Sequence, residues 1–372
     1  MRHRSALFTI GASGLLAISA TGSVSAGNGH DGNVYTLSNL AGGNSVVAYT
    51  RESDGSLSPL GTYPTGGLGT GGGLGSQGAI VLSDDGRLLV AVDAGSDEIT
   101  SFRVGRDGAL TWTDRVWSGG DRPISVTVHD GLAYAVNSGG AGNIAGFTID
   151  RKGDLEAIAG SSRVLSGSGT GPAQISFTPR GDALVVTEKG TNQILGYEVA
   201  RSGLASGPSI LPSAGVTPFG FAFDRQGRAV VSEATGGAPG ASTVSSYGVS
   251  RHASLSVVDG PVATGQGAAC WLTTTPNGRY AYVTNTASGT VTGLAIHGNG
   301  HLALLDADGV TGVDGAGTAP TDLGTSSNGK FLYVLDSGKD ALSAYRIEAD
   351  GSLAALPGTT GLPAPGVGLA AR

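Results

Sequence analysis

Six turns ending in glycine recur at nearly even intervals along this chain, and their spacing restricts the fold more than any other feature. The glycines are Gly86, Gly131, Gly181, Gly227, Gly278 and Gly329, separated by 45, 50, 46, 51 and 51 residues. Each sits in a unit of one plan: an apolar run, a tight turn, a second apolar run, then Asn, Asp or Glu. CWLTTTPNGRYAYVTN (270–285), AIVLSDDGRLLVAVD (79–93), QISFTPRGDALVVTE (174–188) and DLGTSSNGKFLYVLD (322–336) show it most plainly. A second hairpin follows, as in TVTGLAIHGNGHLALL (290–305), so each unit holds four short strands, here called a to d. Four-stranded units at a period of about 40 to 50 residues build β-propellers. The first unit, NVYTLSN (33–39) with SVVAYTRESDGSLSPLGTY (45–63), lacks strand a, and PGVGLAAR (365–372) can supply it. The expectation is an all-β, seven-bladed propeller whose ring closes by pairing N-terminal strands with a C-terminal strand, leaving no open sheet edge.

Composition agrees with one large β domain. There are 66 glycines in 372 residues, 14% of the chain is charged, and Ser, Thr and Val are abundant, a profile suited to short strands and tight turns. Cys270 is the only cysteine, so the core alone must hold the fold. Residues 1–26 read as a signal peptide: basic MRHR, apolar ALFTIGASGLLAISA and a small-residue site at Val24-Ser25-Ala26. The apolar run falls short of the roughly 20 residues needed to span a membrane. The expected organisation is signal peptide 1–26, a lead-in 27–32 and one propeller 33–372, in a secreted or extracytoplasmic protein. A net charge of −7 with no basic cluster removes nucleic acid as a partner. No cofactor or metal is called for, and the chain is expected to work as a monomer on a small lactone or carbohydrate-like molecule.

In a four-stranded meander the a–b and c–d turns share one rim, and the d–a and b–c loops share the other. The first set is short (DDG, PRG, PNG, RDG); the second is long and irregular, as in YPTGGLGTGGGLGS (63–76) and VTGVDGAGTA (310–319). Function is sought on the long-loop rim. The GxGxxG match at Gly67–Gly72 lacks the following helix a dinucleotide site needs. His129, His252, His297 and His301 fall in or beside turns of the short-loop rim, which argues against a histidine-based triad or metal site. The residues closing strand b are Asn39, Asp93, Asn137, Glu188, Glu233, Asn285 and Asp336. Asn and Asp there are suited to capping loop backbone. Glu188 and Glu233, the two glutamates, stand out as candidate catalytic carboxylates in adjacent blades. The first residues of strand a line the channel mouth: Gln77, Arg122, Gln174, Phe219, Cys270, Trp271 and Asp322. Gln77, Arg122, Gln174, Trp271 and Asp322 are candidate substrate-binding residues, Arg122 being the one cation of the set. Cys270 and Trp271 are also suited to packing between blades.

PNGRYAYVTN, SNGKFLYVLD, ALSAYRIEADGSLAAL and the ending GLAA resemble the bacterial lactonase-like propellers, the family that includes the propeller-type 6-phosphogluconolactonase and the fungal carboxymuconate-lactonizing enzyme. The resemblance covers nearly all of the mature chain. It implies a seven-bladed propeller with a ligand site over one end of the channel and, for an enzyme, opening of a lactone ring, with Glu188 or Glu233 as base and Arg122, Gln174 or backbone N–H groups steadying the oxyanion. Where members carry GPRH at the start of a blade, this chain has Gly171-Pro172-Ala173-Gln174, and Gln77-Gly78 replaces a Pro-His pair. With one cation in the set, these departures argue against a phosphorylated substrate. The alternative is a non-catalytic extracellular propeller that binds a ligand or protein.

Overall fold

The computed structural model describes residues 31–372; the signal peptide and most of the lead-in lie outside the described residues. Seven antiparallel sheets form the blades of a ring. The inner strands a are Val367–Ala371, Ile80–Leu82, Pro123–His129, Pro172–Phe177, Pro218–Phe223, Ala269–Thr274 and Pro320–Thr325, for blades 1 to 7 in order. Blade 1 takes its inner strand from the far end of the chain: Val34 pairs with Ala371 and Thr36 with Leu369. Blades 3 and 6 carry a fifth short strand, because their outer strand d is split into two pieces that both pair with strand c.

Alternating apolar residues of strands b and c fill the spaces between blades, as the two-residue period of a strand requires. Val90, Tyr134, Val186, Val231, Tyr282 and Val334 are all fully buried. Polar latches join neighbouring blades at the short-loop rim. Tyr35, Tyr134, Tyr282 and Tyr333 on strand b each donate to the carbonyl of the c–d turn glycine in an adjoining blade, at 2.8, 2.6, 2.8 and 2.8 Å. In blades 2 and 5, Ser101 and Ser246 on strand c make the equivalent bond at 2.7 Å. Such a buried hydrogen bond contributes about 1 kcal/mol net, and the recurrence fixes how the blades tilt against one another.

One further feature positions the site. In blades 5, 6 and 7 the inner strand bulges at the channel mouth, between Pro218 and Phe221, Ala269 and Leu272, and Pro320 and Leu323. A bulge leaves backbone groups out of the ladder, and these must find other partners.

Candidate active site at the channel mouth

The freed groups are taken by side chains. The Gln174 amide donates to Phe221 O (3.0 Å) and accepts from Phe221 N (2.7 Å). Gln77 does the same for Leu272, at 2.7 and 3.0 Å, from the opposite side of the ring. A Cβ on Gly220 would lie 2.0 Å from Gln77 Oε1, so only glycine admits this crossing. Gln77 and Gln174, candidate ligand contacts by sequence, thus spend their amides closing the channel. In blade 7 the freed N–H of Leu323 goes instead to Asp322, whose Oδ1 accepts it at 2.8 Å while Oδ2 accepts from Leu369 N at 3.2 Å.

Asp322 is 2% exposed, and among the described residues no cation pairs with it. Burial drives its carboxyl up to about 8, only partly offset by the two backbone N–H groups. It forms part of the floor of a cavity of about 450 Å³ on the long-loop rim, walled by Gly73–Ser76, Trp271, Thr321, Ser337 and Pro365–Gly368. Trp271 presents its indole there, donates Nε1–H to Ser76 O (2.8 Å) and packs on Phe219 with ring centres 4.8 Å apart. Cys270 points into the core, its thiol pushed up to about 12 by burial, which removes it as a nucleophile at neutral pH.

Lys189, which sequence analysis passed over, brings a cation to the channel mouth. Its Nζ lies 4.8 Å from the centre of the Phe219 ring and donates to Gly75 O. Burial, with the Arg122 charge, lowers its ammonium to about 8. A signal existed: of the residues directly after the strand-b polar positions (Leu40, Ala94, Ser138, Lys189, Ala234, Thr286, Ser337) it alone is charged. Arg122 is exposed, in a left-handed conformation (φ 54°) held by its N–H to Asp97 Oδ1.

Glu188 and Glu233 lie elsewhere, each enclosed in its own blade with no exposure. Glu188 accepts from Ser166 N (3.0 Å), from Ser166 Oγ and from Thr191 Oγ1 (2.6 Å). Glu233 accepts from Ser213 Oγ, Gly215 N, Thr243 Oγ1, Ser245 Oγ and Tyr247 OH, at 2.5 to 3.2 Å. Neither lines the cavity. Asp93 is tied in the same way to Thr65 and Thr100, whereas Asp336 accepts from Ser343 through Oδ2 and its buried Oδ1 has no partner among the described residues. The strand-b polar positions therefore fasten strand c and the d–a loop, using hydroxyls more than the b–c backbone expected from sequence. The described histidines near carboxylates, His129, His252 and His301, face Asp84 and Asp130, Glu198 and Asp259 on the short-loop rim.

A family model described as lactonase, 7-bladed beta-propeller, matches residues 29–168 and 240–360. The chain belongs to this lactonase family. Solved structures similar to the lactonase propeller include a candidate 6-phosphogluconolactonase of Bacteroides fragilis, 19% identical over 93% of this chain and 99% of that one, with a TM-score of 0.72. A second, from Bacteroides uniformis, is 18% identical over 92% and 100% with a TM-score of 0.74. The periplasmic gluconolactonase of Pseudomonas aeruginosa is 18% identical over 91% and 98%, with a TM-score of 0.72. At these identities the likeness is one of fold. Among curated protein sequences none matches the chain. Among the described residues, no helix is long and apolar enough to cross a membrane, and no group of three or more His, Cys, Asp and Glu is placed to hold a metal ion.

Proposed function

We propose that this propeller is an exported hydrolase that opens a small lactone at the long-loop end of its channel, with Asp322 handling the protons. The observation that carries the reading is the cavity of about 450 Å³, within the range of small-molecule sites, with a buried carboxyl lacking a counter-charge in its floor. Such a group in a cleft marks a candidate acid or base. The apolar wall of Leu74, Trp271 and Val367 suits a ring face, while the Thr321 and Ser337 hydroxyls stand near its polar edge.

The ionised form of Asp322 takes a proton from water as the oxygen adds to the lactone carbonyl. The tetrahedral intermediate collapses with cleavage of the bond to the ring oxygen, and Asp322 returns the proton to that leaving oxygen. Base catalysis by a carboxyl near 8 makes kcat rise with pH through that value. Glu188 and Glu233 are given the role of fastening loops, since their oxygens are occupied by hydroxyl and N–H donors.

The test is proton release over a panel of γ- and δ-lactones by the mature protein, beside Asp322→Asn, Glu188→Gln and Glu233→Gln. Hydrolysis that Asp322→Asn abolishes and both folded glutamate variants retain supports the assignment. Loss in a folded glutamate variant, with Asp322→Asn active, returns the base to that glutamate. No hydrolysis across the panel leaves the non-catalytic ligand-binding propeller. Export rests on residues 1–26, and N-terminal sequencing of protein recovered outside the cytoplasm tests it; a start at Gly27 is expected.

A further inference from the structure

The wall of the cavity formed by Gly73–Ser76 is a strap laid across the channel mouth. It is glycine-rich, and a Cβ on Gly72 or Gly73 would meet nothing within 4 Å, so apart from Leu74, which is buried in the core, the strap has little packing of its own. What holds it is a set of hydrogen bonds from other blades. Asn39 binds Gly72 O from blade 1, and Trp271 binds Ser76 O from blade 6. Ser76 Oγ donates to Ile124 O in blade 3, and Gln77 N donates to Ala173 O in blade 4. Gly75, in a left-handed conformation (φ 61°), turns its carbonyl to Lys189, which reaches over from blade 4.

We propose that Lys189 is a positioning residue for the active site: its ammonium, bonded to Gly75 O above the Phe219 ring, fixes the strap and thereby the cavity wall that sets substrate affinity. Two contacts transmit its state to the cavity. One is the strap itself, and the other is the stack in which Lys189 lies over Phe219 and Phe219 packs on Trp271. A cation on an aromatic face is attracted by the ring's electrons, and a charged donor makes a bond roughly twice as strong as a neutral one. Among the described residues Lys189 has no carboxylate partner. The groups whose charges act on it are Arg122, which opposes its charge, and Cys270, which would favour it only if ionised. The Cys270 thiol, pushed to about 12, stays neutral, so the ammonium is lost through about pH 8.

The kinetic arm rests on the lactonase reading. Lys189→Met is expected to raise KM about fivefold by removing the charge-assisted bond, with kcat within about twofold of wild type; Lys189→Arg, which keeps the charge, restores most of the affinity. KM of the wild type rises as pH passes through about 8, and that rise is absent from Lys189→Met. A second arm needs no substrate. In a Trp112→Phe, Trp117→Phe protein, Trp271 is the only tryptophan, and its emission should shift with a midpoint near pH 8. The shift should persist with Asp322→Asn, the neighbouring group of similar value, and vanish with Lys189→Met. An emission that does not change from about pH 7 to 9, or a shift that survives Lys189→Met, overturns the proposal whether or not a lactone is hydrolysed. A shift that obeys it, with no lactone turned over, refutes the lactonase reading alone.

Discussion

Glu233 and Asp322 are both carboxyls sealed from solvent, and they differ in what surrounds them. Glu233 receives hydrogen bonds from five groups, four of them hydroxyls. Asp322 receives two, both from backbone N–H groups, and borders a cavity. At Asp322 burial disfavours the charge and the two backbone donors offset it only in part. On the proposed reading, a carboxyl well supplied with donors serves as a fastener and a poorly supplied one at a cavity serves as the reagent. Acidic character at a channel rim is therefore no guide to chemistry until the donors around each oxygen are counted.

The contrast breaks most visibly at Asp322. Asp322→Asn should cut kcat by about 10²–10⁴-fold, the usual contribution of a positioned acid–base group, and should cost less stability than Glu233→Gln, because its NH₂ meets only one of two backbone N–H donors. A variant that is active or that unfolds would place Asp322 among the fasteners. Glu233→Gln should do the reverse, costing about 2–3 kcal/mol in denaturant unfolding because an amide NH₂ faces buried donors, with kcat of the folded protein preserved. Glu188→Gln, with fewer donors, should cost less.

Linkage sharpens the comparison further. Asp322, raised by burial from 3.8 to about 8, binds its proton more tightly folded than unfolded. Its contribution to stability is fully present below the unfolded value and is lost as pH rises through about 8. Asp336, raised to about 7 by burial and by the nearby Asp314, acts with the same sign. Between these limits the wild type should lose stability with rising pH faster than Asp322→Asn, by up to about 1.4 kcal/mol per pH unit; equal slopes in paired denaturation series would show that the carboxyl is not held protonated. The smallest effect is expected from Tyr247→Phe, about 1 kcal/mol for one of five donors to Glu233, read by the same unfolding assay.

The seven blades and the closure of the ring were legible because both rest on local patterns: a turn glycine every 45 to 51 residues, and an apolar pair, Val367 and Leu369, able to complete the first unit. The site was legible only in part. Channel-mouth positions could be named from the start of strand a, and Trp271 and Asp322 do line the cavity. What separates Asp322 from Gln77 and Gln174 is the absence at its bulge of a glutamine reaching over from another blade, and the bond its own carboxyl makes to Leu323 N instead. Both depend on register, which alternation does not record. The surroundings of Glu233 were hidden for a similar reason. Its donors lie 10 to 20 residues away on strand c and a d–a loop, gathered only once the strands pair.

Ring closure has a kinetic and thermal consequence. The seam of blade 1 joins residues 332 apart, as in the bond from Thr36 Oγ1 to Gly368 O (2.7 Å), and tethering chain ends over that length costs about 5 kcal/mol of configurational entropy. The other blades pair strands that are sequence neighbours and escape that penalty. Closure is expected to be the slowest assembly step, because its contacts are so distant in sequence, and the seam the first place to part on heating. Pro365–Gly368, which lead into the closing strand, also wall the cavity. If that cavity is the ligand site, it is lost when the clasp slips while six blades still stand, and thermal inactivation is expected to precede melting, its temperature set at a single joint.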